Sequence, residues 1–78
     1  MASIDVLVPQ HPIQVAARRS GLSTHVIRAW EKRYQAVKPQ RSGTSRRLYS
    51  DEEINRLGLL RRVTEAGWRI GDVAGDIL

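Results

Sequence analysis

The amino-acid sequence predicts a mainly α-helical fold of the winged helix-turn-helix class, with four short helices and a two-stranded β wing. Three observations carry that expectation. Ile13 to Ser20 and Ser23 to Tyr34 are two short runs with apolar residues at helical spacing, separated only by Gly21 and Leu22. Arg41 to Tyr49 reads as strand, polar turn and strand. Ser50-Asp51-Glu52-Glu53 then opens a further helix with the reciprocal serine and glutamate pairing of a capping box. A chain of 78 residues has room for one domain with one small core. We expect residues 1–11 to form a flexible N-terminal tail and 12–78 the folded domain.

Each element follows from local chemistry. Ile4, Val6 and Val8 allow a short edge strand in the tail, but Pro9 and Pro12 interrupt anything longer. Pro12 suits a first helical turn, and Ile13, Ala16, Ala17 and Ser20 fall on one face of the helix it starts. Gly21 stops that helix, and the small alanines allow a second helix to approach closely. Ser23 caps the second helix, which runs to Tyr34 without Gly or Pro. Val26, Ile27, Trp30 and Tyr34 gather on one side of it, and Thr24, His25, Arg28 and Lys32 on the other. By periodicity Trp30 packs in preference to contacting a ligand. Val37 to Gln40 breaks the helix and leads into the wing. After Ser50, Ile54, Leu57, Leu60 and Val63 mark the main core helix, with Leu59 as a second apolar line. Glu65-Ala66-Gly67 closes it. Ile70, Val73, Ala74 and Ile77 mark a fourth helix, weakened by Gly71 and Gly75 and dependent on Trp68 to pin it.

Charge narrows the function. Residues 18–47 hold nine basic residues against Glu31 alone, a net of +8; the remainder holds four basic and seven acidic residues, a net of −3. Such asymmetry in one small domain suits a polyanion. A short helix with an aromatic anchor behind and a cationic, hydrogen-bonding front is what a DNA major groove accepts. Bland alternatives stand beside this. Helix-glycine-helix units also occur for packing alone, a hairpin can carry merely solvated arginines, and Arg61 and Arg62 suit the third helix's dipole as well as a phosphate. With no cysteine and only His11 and His25, no thiolate or histidine metal site is expected. The sequence has no paired carboxylates in a plausible cleft, no nucleophile with a base beside it and no phosphate-cradling glycine loop, so we do not expect an enzyme. No apolar run approaches the roughly 20 residues of a membrane span, and a cytoplasmic protein is expected.

Four landmarks occur in order: Ile13 to Leu22 (IQVAARRSGL), Ser23 to Tyr34 with Arg28-Ala29-Trp30-Glu31 at its centre, Arg47-Leu48-Tyr49-Ser50, and Glu65-Ala66-Gly67. Together they resemble the N-terminal DNA-binding domain of MerR-type transcription regulators over residues 12–78. Arg28 to Tyr34 is most similar to the branch typified by CarA, CarH and LitR. The resemblance implies that the helix from Ser23 enters the major groove of operator DNA, with Thr24, His25 and Arg28 nearest the bases and Lys32 and Arg33 beside them. It implies that Arg47 contacts the backbone from the wing, with Arg41 and Arg46 alongside and Tyr49 anchoring the strand, and that Arg18 and Arg19 touch phosphates from the first helix. In the same branch many members carry a cobalamin-binding C-terminal module, which would lie outside these 78 residues. An acidic, DNA-mimicking antirepressor protein is a second conceivable partner for the same face.

Four positions depart from the family pattern. Thr44-Ser45 replaces a glycine pair at the wing tip, Gln35 replaces a glycine after the second helix, and Val15 stands at an outward position that is usually polar. We expect these 78 residues to be a fragment of a longer regulator, a repressor or activator, with the domain monomeric alone and the full-length protein a homo-oligomer.

Overall fold

The computed structural model describes residues 8–37, 39–41 and 47–74; for Gln40 and Arg41 it describes the backbone only. Four helices and a two-stranded antiparallel ribbon occur in the expected order: α1 (Ile13–Ser20), α2 (Thr24–Tyr34), β1 (Gln40–Arg41), β2 (Arg47–Leu48), α3 (Asp51–Glu65) and α4 (Ile70–Val73). The possible strand over Ile4 and Val6, the wing tip at Thr44-Ser45, and Lys38, Arg46, Gly75 and Ile77 lie outside the described residues.

Local signals account for most helix ends. Pro12 is the N-cap residue of α1, with its carbonyl accepting from Val15 and Ala16, one position earlier than the first-turn placement expected. Gly21 ends α1 in the left-handed region, at φ 82°. The Ser23 hydroxyl accepts from the Val26 amide and caps α2. Ser50 and Glu53 form both halves of the capping box, and Asp51, Glu52 and Glu53 occupy the first turn of α3, at the positive end of its dipole.

α1 packs on both α2 and α3, and α4 packs on α3. One core cluster joins Ile13, Ala16, Ile27, Val37, Tyr49, Ile54 and Leu57. A second joins Ala36, Leu60 and Val73. Trp30 packs against both, which is the packing role its periodicity indicated. Each fully buried isoleucine or leucine here contributes about 1.5–3 kcal/mol of apolar burial. A tertiary bond locks the turn between the first two helices: the Arg61 Nε–H donates to the Ser20 carbonyl at 2.8 Å. The positive φ favours glycine here, and a Cβ on Gly21 would lie 2.6 Å from that Nε, so a larger residue would have to displace the Arg61 side chain.

Four expectations need correction. Trp68 does not pin α4; it is 61% exposed, and Val73 and Ala74 hold this helix in the core instead. Leu59, the expected second apolar line, is 43% exposed and does not join the core with Leu57 and Leu60. Val15 is half-buried rather than outward. Gln10 and His11 are not part of a free tail. Both amides donate to the Tyr49 carbonyl, at 3.1 and 3.0 Å, and the Tyr49 amide donates to the His11 carbonyl at 2.8 Å, so this segment extends the wing by a β-bridge.

Candidate nucleic-acid interface

The outward face of α2 is set by what lies behind it. Ile27 is completely buried and Trp30 half-buried, so the residues at i−2, i+1 and i+5 from Ile27, namely His25, Arg28 and Lys32, are turned to solvent. Arg33 is also exposed, whereas Thr24, in the first turn, is half-buried. The three positions expected to meet bases thus share the N-terminal half of one helix. On α1 the last turn presents Arg18 and Arg19 to solvent.

The wing enters this face through a partly buried contact. β1 and β2 pair with Gln40 opposite Leu48 and Arg41 opposite Arg47. The Arg47 Nε–H donates to both carboxylate oxygens of Glu31 on α2, at 3.0 and 3.1 Å. The Tyr49 hydroxyl donates to Glu31 Oε2 at 3.0 Å. Burial, and then the charge and hydrogen bond of Glu31, push the Tyr49 phenol far above the ordinary tyrosine value, so it remains a donor. Tyr49 is fully buried, which agrees with its anchoring part and corrects any placing of it among residues that touch a ligand.

A second polar cluster joins the end of α1 to the start of α3. Asp51 Oδ1 lies 2.8 Å from Arg19 Nη1 and 2.8 Å from His11 Nε2. The Arg19 hydrogen bond, followed by that of His11, holds the Asp51 carboxyl below its ordinary value of 3.8. Arg19 therefore has an intramolecular carboxylate, although its side chain is still 43% exposed. Of the cations assigned to phosphate, Arg18 is exposed and has no ion-pair partner among the described residues. Arg19 and Arg47 are paired. Arg41 belongs to β1 by its backbone, and Arg46 lies outside the described residues.

Sequence reading missed Glu31, Asp51 and His11 as parts of this arrangement. For Glu31 a signal existed: it is the single acid among nine basic residues between positions 18 and 47. For Asp51 and His11 the partners are 32 and 40 positions apart in the chain, and nothing local announces them. Among the described residues no group of three or more His, Cys, Asp or Glu side chains could hold a metal ion, and no helix is long and apolar enough to cross a membrane.

Comparison with known proteins gives a consistent result. The family profile described as MerR HTH family regulatory protein matches residues 12–75. The chain is 37% identical over 62 residues to the HTH-type transcriptional repressor CarH of Myxococcus xanthus, covering 80% of this chain and 21% of that protein. It is 33% identical over 67 residues to the HTH-type transcriptional repressor CarA of the same organism, covering 83% and 23%. To the HTH-type transcriptional regulator MlrA of Escherichia coli (strain K12) it is 36% identical over 47 residues, covering 60% and 19%. The chain thus spans about a fifth of the length of these relatives. Among solved structures it is similar to HiNmlR, described as a MerR family regulator lacking the sensor domain, bound to promoter DNA. The TM-score is 0.76 at 21% identity, covering 86% of this chain and 51% of that one, which is a likeness of fold.

Proposed function

The chain belongs to the MerR family of helix-turn-helix regulatory proteins, and from that premise we propose that it reads operator DNA for a transcription regulator, with α2 in the major groove and the wing on the adjoining backbone. The observation that carries the proposal is the exposed face of α2. His25, Arg28 and Lys32 are turned to solvent while Ile27 and Trp30 fix the same helix from behind. The similar fold of HiNmlR, whose description has it bound to promoter DNA, supports DNA as the partner.

The chemistry divides into two parts. Arg28 can offer a bidentate pair to a guanine edge, and Thr24 and His25 can each offer a single hydrogen bond; a good bidentate contact is worth about 1–3 kcal/mol of discrimination. Arg18, Lys32, Arg33 and the wing arginines supply phosphate neutralisation, which releases counterions and makes binding fall steeply with salt. Few base contacts and much backbone contact make one copy a weak reader. Two copies on a palindromic site, in the cytoplasm of the cell, would supply the remaining affinity.

The test is selection of a preferred duplex from a randomised pool, followed by titration of variants on the selected and a scrambled duplex. Arg28→Ala is expected to shrink the preference for the selected duplex by roughly 5- to 150-fold, the equivalent of one base contact. Arg18→Ala should weaken both duplexes alike. Equal losses on both duplexes for both variants would remove the division of roles, and no salt-dependent binding at all would remove the proposal.

A further inference from the structure

Glu31 is the one acidic residue in a stretch of nine cations, and it stands on the helix whose outer face is cationic. An isolated carboxylate there would repel a phosphate backbone and lower affinity. Its position, however, is tightly specified. Both of its oxygens accept the Arg47 Nε–H, and Oε2 also accepts the hydroxyl of Tyr49, a residue with no exposed surface. Glu31 itself is 17% exposed and Arg47 26%. The carboxylate is thus held from the core side by a phenol that belongs to one buried cluster with six other residues.

We propose that Glu31 is a positioning residue for DNA binding: it fixes the Arg47 guanidinium by its Nε edge so that the Nη1 and Nη2 groups are presented to a phosphate. This rests on the DNA-reading proposal above. A guanidinium carries five N–H donors in one rigid plane. The contact with Glu31 uses the donor on Nε, and among the described residues no hydrogen bond engages the four on Nη1 and Nη2. Phosphate is recognised by such a planar fork, and a fork already immobilised loses less rotamer freedom on binding. The same contact ties β2 to α2, so the wing and the recognition helix meet the duplex at one fixed spacing. Glu31 therefore favours binding without touching DNA, and against the sign of its own charge.

That sign makes the proposal testable. The full chain and its Glu31→Ala, Glu31→Gln, Arg47→Ala and Glu31→Ala/Arg47→Ala variants are titrated by fluorescence anisotropy against a fluorescein-labelled mixed-sequence duplex. Salt runs from roughly 50 to 200 mM, a range in which backbone contacts dominate the affinity. Thermal melts by circular dichroism select a temperature at which each variant is folded. Expected is a loss of about three- to tenfold for Glu31→Ala, with a salt slope reduced by about one phosphate, as for Arg47→Ala. Glu31→Gln, which is close in shape and keeps an oxygen acceptor for Nε, retains more affinity than Glu31→Ala and serves as the test should Glu31→Ala fail to fold. In the Arg47→Ala background, loss of Glu31 should cause no further weakening. Binding as tight as wild type or tighter for Glu31→Ala, or an equal loss with and without Arg47, overturns the positioning role. A wild-type chain that binds no duplex overturns the DNA reading instead, so the two failures are distinct.

Discussion

Gln35 offers a direct test of how the recognition helix is terminated. It is the one described non-glycine residue with positive φ, at φ 51° and ψ 38°, the left-handed conformation in which a Cβ crowds the following carbonyl. It holds this geometry because its amide donates to the Glu31 and Trp30 carbonyls and because Ala36 and Val37, immediately after it, are buried. Its own side chain is exposed. The left-handed conformation costs about 1–2 kcal/mol for a residue with a Cβ, and glycine returns about 0.5–1 kcal/mol of that through the greater entropy of its unfolded chain. Gln35→Gly should therefore stabilise the domain by about 0.5–1 kcal/mol, which for a domain of this size raises Tm by roughly 2–8 °C. Thermal and urea unfolding followed by circular dichroism would measure it, with an unchanged urea m value showing that only stability has moved. Gln35→Asn should gain part of this, and Gln35→Ala, which keeps the Cβ, should gain nothing. A Tm for Gln35→Gly at or below wild type, or equal gains for glycine and alanine, would refute the assignment of strain to this residue.

Two further outcomes follow from the polar contacts. Gly21→Ala should lower stability by about 1–3 kcal/mol, because alanine meets both the positive φ and the Arg61 guanidinium, whose Nε would be 2.6 Å from the new Cβ; urea titration would show it, and an unchanged midpoint would refute it. For Asp51 the folded-state carboxyl is depressed below 3.8, chiefly by Arg19 and then by His11. A depressed carboxyl contributes stability that is present above its unfolded value and is lost as pH falls through the lower folded value. The Tm advantage of wild type over Asp51→Asn should thus be full at neutral pH and shrink below about pH 4; an advantage independent of pH would sink the linkage.

What could be read from the sequence divides along the range of the interactions. The Ser50–Glu53 capping box, the Ser23 cap and the Gly21 stop involve groups three or four residues apart, so spacing alone exposes them. The cationic outer face of α2 was legible for the same reason, since helical periodicity places Ile27 opposite Arg28 and Lys32. The pairings of Arg47 with Glu31, Arg19 with Asp51 and Arg61 with Ser20 span 16, 32 and 41 positions. They depend on which helix faces which, and a charge count treats all three arginines as equally available. The failure at Trp68 has a different cause. A large aromatic beside a glycine-weakened helix suggests an anchor, but Trp68 follows the Gly67 turn and stays exposed.

The bridge between His11 and Tyr49 bears on where this domain begins. Family likeness starts at residue 12, and a chain trimmed there would keep every helix. It would also remove both donors to the Tyr49 carbonyl and the acceptor of the Tyr49 amide. The same cut removes the imidazole that shares Asp51 with Arg19. The backbone pairing of this fold thus reaches back past the first helix, to a residue held by a tyrosine almost forty positions downstream.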